Sequence, residues 1–392
     1  MKRAAAFALA LALVVPASAA RADTFAVGSY IIPMDTTYQD AGMLKAYGLV
    51  YNLLRHGIPV RWVVNPAKAY QGVDFTASAV DLKTSAQIAN YGYRGGPFVI
   101  DSANAAAALP YIQAWLTANP SVKVHSATAP FSGTVAKALV VAPRIAVLAD
   151  GNQAIAFGYL NAAGIGDSHG NAWAATSPDL LTPAQVAGPT TTNHHDGALF
   201  DANGVPLFCH LLSMHWDVSS AAMSPETVVE VRSFLTQPTH LVAECQSVLA
   251  FENAAHLLTT GGLQVAAQAT SADNYNPTSL LAQLDGAFKT VGGSEPSFAL
   301  AAGSAYKAGG IVMLTGHGVP PGGGQDVWVT GFLDGTCPPE AGTCGSLGKV
   351  SYLGGHQYTT NTPISTNPQT QGVRLFLNSI FDSQCSSQAG VK

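Results

Sequence analysis

The sequence predicts an α/β fold, namely a doubly wound and mostly parallel sheet with helices on both faces and long loop insertions. Short apolar segments alternate with amphipathic helical patterns through most of the 392 residues. Parallel strands need crossover connections, which helices usually supply, so this alternation favours parallel pairing. Apolar residues make up 48% of the chain, which is enough to bury a large core.

Nine short apolar segments are predicted as strands. Several of them are apolar without alternation, as expected for strands that are buried on both faces. In chain order they are residues 24–32, 60–64, 97–100, 144–149, 205–212, 239–244, 310–315, 326–332 and 349–353.

Three segments outside these strands show the helical spacing of apolar residues. In the first, apolar side chains from Met43 to Leu54 share one face, and Gly57 marks its end. Residues 226–237 and 370–381 show similar spacing. Strand and helix patterns therefore alternate in the N-terminal half and in the C-terminal half of the chain.

The first 22 residues have the pattern of a secretory signal peptide. A basic start is followed by a short apolar run and then by small residues that end at Ala22. Residues 23–392 are expected to form a single large domain, with an irregular insertion near residues 166–204 where periodic apolar pattern is missing. No later stretch reaches about 18 uninterrupted apolar residues, so we expect a secreted or periplasmic chain without a transmembrane segment.

The low content of charged residues and the negative net charge argue against nucleic acid and anionic membranes as partners. Only 10% of the residues are charged, and the formal net charge is -5. Such a chain has no basic field for nucleic acid or for an anionic membrane surface. The expected partner is a small-molecule, peptide or glycan substrate, whose identity the sequence does not specify.

The five cysteines form an odd set for an exported chain. Cys337 and Cys344 bracket the turn-rich "PPEAGT" and are predicted to form a local disulfide. Cys209, Cys245 and Cys385 remain for at most one further bridge. At least one thiol is therefore left free.

Polar residues with useful chemistry follow many of the predicted strands. In doubly wound sheets the functional residues cluster beyond the carboxyl ends of the strands, so we expect several of these side chains to share one edge. The residues at these positions are Asp35, Asp101, Asp150, Cys245, His317 and His356.

Cys245 stands where an apolar strand turns into a helix, the position of a nucleophile elbow. Ala243 and Ser247, two residues to either side, are small enough for a tight strand-to-helix turn. A helix N-terminus stabilises a thiolate through the helix dipole and free N–H groups. The same groups, beginning with the N–H of Gln246, are suited to bind an oxyanion.

These residues resemble the class I glutamine amidotransferase-like superfamily, which includes the ThuA-like and intracellular-protease-like proteins. The resemblance covers roughly residues 24–381 and implies a flavodoxin-like sheet, a cysteine on the elbow after a central strand, and a histidine from a later strand end as base. Cys245 matches the elbow, and His356 in "SYLGGHQY" matches the histidine. The phrases "ECQSVLAFEN" and "GVRLFLNSIF" also resemble secreted bacterial proteins, a likeness that implies no particular activity.

Two positions depart from the amidotransferase pattern. The elbow lacks its glycines, and Tyr358 stands two residues after His356 where that pattern has an acid. The resemblance therefore implies the fold and a Cys–His pair, but not glutamine hydrolysis.

Together these observations predict a hydrolase that acts on an amide, an ester or a related carbonyl compound. Cys245 attacks the carbonyl carbon in this hypothesis, and His356 takes and returns the proton. Glu244 or Asp35 is the candidate to orient the histidine or to bind substrate. The other candidates for substrate binding are Gln246, His317 and Tyr358.

Other interpretations of these residues stay open. Cys245 is equally compatible with a disulfide to Cys209 or Cys385, or with an inert core thiol, because unpaired cysteine is among the most buried residue types. The non-enzymatic alternative is a secreted binding or envelope protein with the same fold and a silent site. Low charge and the missing acid after His356 favour this alternative.

Metal binding is the alternative to nucleophilic catalysis by cysteine. Two histidine-rich stretches offer donors, but neither has the His-Glu-x-x-His spacing that places two ligands on one helical face. No metal and no other cofactor is therefore predicted. The donors in these stretches are Cys209, His210, His215 and Asp217, and His194, His195 and Asp196.

Overall fold

Two β-sheets with helices between and around them make up the part of the chain that the computed structural model describes, residues 22–216, 224–268, 270–336 and 347–387. The predicted signal peptide, except Ala22, lies outside these residues. So do the predicted Cys337–Cys344 pair and Asp217.

The first sheet comes from the N-terminal part of the chain and is antiparallel throughout. Its strand order is β1-β8-β3-β6-β2-β7-β4-β5, and each neighbouring pair runs in opposite directions. The strands are β1 (Ala22–Phe25), β2 (Tyr30–Ile32), β3 (Val60–Val63), β4 (Val73–Asp81), β5 (Gln87–Arg94), β6 (Phe98–Ile100), β7 (His125–Ala127) and β8 (Phe131–Leu139).

The second sheet is mixed. Its main order is β10-β9-β11-β12-β18-β17-β15-β13, with β16 paired to β17 and β14 to β16. Only the five strands from β10 to β18 in that order are parallel, and the remaining pairs are antiparallel. The strands are β9 (Ile145–Leu148), β10 (Leu180–Leu181), β11 (His210–Ser213), β12 (His240–Glu244), β13 (Leu263–Ala266), β14 (Ala272–Asn274), β15 (Ser297–Leu300), β16 (Ile311–Gly316), β17 (Asp326–Phe332) and β18 (Lys349–Leu353).

Seven α-helices lie in the described ranges, together with short 3₁₀ turns. None of these helices is long and apolar enough to cross a bilayer. The predicted insertion near residues 166–204 contains the edge strand β10 and one short helix. The helices are α1 (Met43–Arg55), α2 (Ser102–Ala118), α3 (Ala154–Ala163), α4 (Pro183–Ala187), α5 (Ser224–Phe234), α6 (Gln246–Ala255) and α7 (Thr370–Phe381).

Helix α7 contacts both sheets, and all of its residues are buried. Its last residue, Phe381, packs against Phe98 of the first sheet with ring centroids 6.0 Å apart. Directly after the helix, Asp382 binds Lys349 of β18 at 2.6 Å and Lys137 of β8 at 3.5 Å. One continuous apolar core therefore contains residues of both sheets and of α1, α3 and α7.

The predicted doubly wound, mostly parallel, flavodoxin-like sheet is wrong. The nine predicted strand segments do contain strands, but those within residues 24–32, 60–64 and 97–100 belong to the antiparallel sheet. Helix α1 connects β2 with β3, which run in the same direction as a helical crossover requires, but β6 lies between them and runs the opposite way. The alternation of strand and helix therefore did not specify which strands are neighbours.

Candidate active site

Cys245 occupies a sharp turn between β12 and α6. Its backbone has φ +51° and ψ -125°, a conformation that is uncommon for a residue with a side chain. The small residues Ala243 and Ser247 flank the turn, and both are buried. The N–H of Cys245 donates to the carbonyl oxygen of Leu353 at 2.9 Å, which fixes the turn against β18.

His356 reaches the thiol from the neighbouring strand end. Because β12 and β18 are parallel neighbours, their carboxyl ends lie at the same edge of the sheet. Gly355 has φ +77°, a conformation that favours glycine, and it turns the chain after β18 so that the imidazole faces Cys245. The distance between Cys245 Sγ and His356 Nδ1 is 2.8 Å.

Glu295 completes the immediate surroundings of the thiol. Cys245 Sγ donates to Glu295 Oε2 at 2.9 Å, and the Ser294 hydroxyl donates to the same carboxylate oxygen. The carbonyl oxygen of Glu295 accepts from the N–H of Gly355 at 2.8 Å, so this loop is bound to the turn that carries His356. Glu295 is not among the residues predicted from the sequence, because it lies in a loop before β15 that has no motif of its own.

The thiol is closed off from solvent in this arrangement. Cys245 is 0% exposed. A Cβ atom added at Gly293 would lie 3.0 Å from His356 Nδ1 and 3.3 Å from Cys245 Sγ, so the backbone of residue 293 covers the pair directly. Only glycine fits there without displacing one of the two groups.

Burial determines the protonation of both groups. Desolvation, followed by the hydrogen bond to the Glu295 carboxylate, raises the pKa of the Cys245 thiol to about 12. Desolvation, followed by the proximity of His215, lowers the pKa of His356. At neutral pH the closed site therefore holds a neutral thiol, whose proton is donated to Glu295, beside a neutral imidazole.

His215 lies next to His356, and their ring centroids are 4.4 Å apart. The loop that carries it follows β11 and is held by the Asp150 carboxylate, which accepts from the N–H groups of Met214 at 2.8 Å and His215 at 3.2 Å. Asp150 follows β9, the next parallel strand. The expectation that strand-end residues share an edge is therefore met by Asp150, Cys245 and His356 within the parallel part of the sheet.

Glu244 precedes Cys245 but points into the core. Its carboxyl is 0% exposed and lies next to Tyr159, and burial raises the pKa of Glu244 well above its usual value. In the described chain no hydrogen bond joins it to His356. The acid that contacts the Cys–His pair is Glu295, not Glu244.

We expect Glu244→Gln to change the pH dependence of stability. Between the unfolded pKa near 4.5 and the raised folded value, the folded chain keeps a proton that the unfolded chain has lost. The wild-type free energy of unfolding should therefore fall by about 1.4 kcal/mol per pH unit from this group as pH rises, and the glutamine variant should lack that contribution. Denaturant unfolding of both proteins at pH 5.5 and 7.5 measures the difference. An equal difference at both pH values would contradict a buried neutral carboxyl.

The other predicted substrate-binding residues have different positions. Gln246 is the first residue of α6 and lines a cavity that also contacts Glu295. Tyr358 is buried and donates to the carbonyl oxygen of Gly354 at 2.7 Å, so it supports the turn before His356. Both therefore lie close to the candidate site.

Asp35 and His317 have partners elsewhere. Asp35 accepts from the Tyr91 hydroxyl at 3.0 Å within the first sheet. The His317 side chain is 73% exposed and contacts Asp273 at 2.9 Å. Among the described residues no hydrogen bond or ion pair joins either side chain to Cys245 or His356. The strands before them, β2 and β16, pair in antiparallel fashion, so their ends do not belong to the parallel edge.

The disulfide that the structure contains joins Cys209 to Cys385. Cys245 is a free, buried cysteine, so a disulfide at this position is excluded. Because the sulfur of Cys209 is in the disulfide, it is not available to the metal site considered from the spacing of this stretch.

No protein-family model matches the chain, and no curated protein matches it at a significant level. The resemblance to the amidotransferase-like superfamily therefore stays a prediction.

Proposed function

We propose that the chain is a cysteine-dependent hydrolase that acts on an amide, an ester or a related carbonyl compound. The observation that carries this proposal is the free thiol of Cys245 on a strained turn, 2.8 Å from His356 Nδ1. Nucleophilic catalysis by cysteine needs such a pair, because the thiolate is the reactive form and the neighbouring base removes the proton.

The chemistry proceeds in two steps. In the first, His356 takes the thiol proton, Sγ bonds to the carbonyl carbon, and the leaving group departs with the proton that His356 returns. In the second, His356 removes a proton from water and the hydroxide attacks the thioester carbon. The C–S bond then breaks, the acid product leaves, and His356 returns the proton to the sulfur of Cys245. The lowered pKa of His356 keeps its imidazole neutral and able to accept the proton at neutral pH.

The start of α6 is suited to stabilise the negative charge that develops on the carbonyl oxygen. The first N–H groups of a helix have no acceptor within the helix, and those of Gln246 and Ser247 directly follow the nucleophile. Donors that are already in place at a developing oxyanion are worth several kcal/mol of barrier. The turn therefore supplies both the nucleophile and the donors.

A substrate must displace the loop that covers the thiol. Residues 293 and 295 contact Cys245 and His356 from one side, and Sγ has no exposed surface. Moving the Glu295 carboxylate away removes a negative neighbour that raises the pKa of Cys245. Opening of this loop therefore admits the substrate and makes the thiol easier to deprotonate.

The cavity beside this loop favours a substrate with an apolar part. It has a volume of about 560 Å³ and lies between α5 and α6, with Glu295 and Gln246 at the end nearest the thiol. Most of its lining is apolar, so an acyl chain or an apolar side chain gains from entering it. The remaining lining residues are Pro225, Val228, Val229, Leu249, Ala250, Asn253 and Ala254.

A series of p-nitrophenyl esters from acetyl to octanoyl, with the matching anilides, tests the proposal. We expect ester turnover, with kcat/KM rising about fourfold for each methylene that enters the cavity, since burying a methylene contributes about 0.8 kcal/mol. Leu249→Trp, which fills the cavity, should lower octanoyl turnover more than acetyl turnover. Absence of turnover above buffer for every ester and anilide would contradict the proposed activity.

A second candidate function is supported by the burial of the thiol. A neutral, fully covered sulfur is also what a binding or envelope protein with a silent site would keep. The same substrate series separates the two candidates, because only the enzyme turns over an ester. For either function we propose an exported location, which the Cys209–Cys385 disulfide supports.

A further inference from the structure

Three metal-ligating side chains converge at the parallel edge of the second sheet. His215 follows β11, Cys245 follows β12 and His356 follows β18. One ligand atom from each lies within 4.8 Å of the other two. These strands are neighbours in the order β11-β12-β18, so the fold itself brings the three side chains together.

We propose that His215, Cys245 and His356 form a binding site for a thiophilic divalent cation of the Zn²⁺ type. Two imidazoles and one thiolate are donors that Zn²⁺ accepts, and water takes the fourth position of the tetrahedron. This inference goes beyond the proposed hydrolase and does not depend on it, since ion binding needs the donor atoms and no turnover.

The distances fit a small rearrangement. Zn²⁺ ligands lie about 2.0–2.3 Å from the ion, so tetrahedral neighbours are about 3.3–3.8 Å from one another. The Sγ–Nδ1 distance to His356 is 2.8 Å, which is a hydrogen-bond separation. An ion bound by both atoms widens this contact, and a shift of about 1 Å brings His215 into range, because its ligand atom lies within 4.8 Å of the other two.

A catalytic Cys–His pair does not need His215, whereas an ion site uses it as a third ligand. Its Nδ1 atom is buried and has no hydrogen-bond partner in the described part of the chain, which is costly for a polar atom unless a ligand satisfies it. Its backbone N–H is held by the Asp150 carboxylate. Outer contacts of this kind fix the direction of metal ligands.

Ion binding and nucleophilic attack exclude each other at this site. The ion takes the sulfur as a thiolate, and the thiol proton passes to solvent. It also takes the nitrogen of His356 that would accept the proton in catalysis. A bound ion of this type therefore inhibits the proposed hydrolase instead of assisting it.

Titration with the metal alone tests the inference. After treatment with a chelator and its removal, the full chain should bind one equivalent of Zn²⁺ by calorimetry. It should also bind Co²⁺ with a near-ultraviolet thiolate-to-cobalt absorption band. We expect His215→Ala to weaken Zn²⁺ binding at least tenfold and Cys245→Ser to remove the band. His317→Ala, which changes an exposed histidine elsewhere, should leave both unchanged.

Two results would overturn the inference: no bound equivalent in the wild-type chain, or equal affinity in His215→Ala. If His215→Ala does not fold, as judged by near-ultraviolet circular dichroism, His215→Gln provides the same comparison. Hydrolysis measured with chelator present reports on the proposed enzyme separately. Turnover without Zn²⁺ binding refutes the ion site alone, and Zn²⁺ binding without turnover refutes the hydrolase alone.

Discussion

Cys245→Ala is expected to lower kcat/KM for ester hydrolysis by a factor on the order of 10³ or more. The variant loses the sulfur that forms the covalent intermediate, and the remaining donors at the start of α6 support only slow attack by water. Steady-state kinetics with the best ester of the series, at equal protein concentration and with chelator present, measures the effect.

His356→Ala should produce a loss of similar size, and the double variant should be little worse than either single one, because the two groups act as a unit. His317→Ala is the matched control, since this histidine is exposed and contacts Asp273 instead of Cys245. Undiminished turnover in a folded Cys245→Ala protein would place the chemistry elsewhere in the chain.

Removing the disulfide is expected to have the largest effect on stability. Cys209 and Cys385 are 176 residues apart in sequence, so the bridge closes a long loop in the unfolded chain. The chain-entropy treatment gives about 5 kcal/mol for such a loop, and replacing native disulfides typically costs about 2–5 kcal/mol. We expect the double variant Cys209→Ala, Cys385→Ala to lose a free energy of unfolding in that range, measured by denaturant unfolding.

The comparison has an internal control. With reductant added to both proteins, the wild type should be no more stable than the double variant, while Cys245→Ala should remain sensitive to the reductant. A double variant as stable as the oxidised wild type would show that the bridge contributes nothing measurable to the folded state.

Local pattern predicts ten of the eighteen strands in the described residues, but it does not determine how they pair. The apolar segments at residues 60–64 and 97–100 correspond to β3 and β6. Whether two such strands are neighbours, and in which direction, depends on contacts far apart in sequence. The eight strands outside the predicted segments are β4, β5, β7, β8, β10, β13, β14 and β15. In the β4–β5 hairpin the strands mix buried and partly exposed residues and have no continuous apolar run.

Cys245 and His356 can be predicted from the sequence, whereas the residues that surround them in the site cannot. Cys245 and His356 each lie in a short local pattern, a tight strand-to-helix turn and a pair of glycines after a strand. Glu295 and His215 reach the site from loops whose paths are set by tertiary packing. Nothing in their neighbouring residues indicates the sulfur that they approach.

The acidic residue that contacts the thiol could not be predicted from the sequence either. Glu244 is adjacent to Cys245 in sequence, and its position next to the nucleophile suggested a catalytic role. Successive residues of a strand point to opposite faces, so adjacency in sequence does not place two side chains together. The carboxylate that contacts the thiol comes instead from fifty residues further along the chain.

Identification of the acylated residue tests the central claim most directly. The folded protein is mixed with a slowly hydrolysed activated ester, quenched in acid, and examined by intact mass and peptide mapping. We predict one acyl group, attached to the sulfur of Cys245, in the wild-type and His317→Ala proteins and none in Cys245→Ala. An unmodified Cys245 in a protein that hydrolyses the ester, or an acyl group on another residue, would contradict the account.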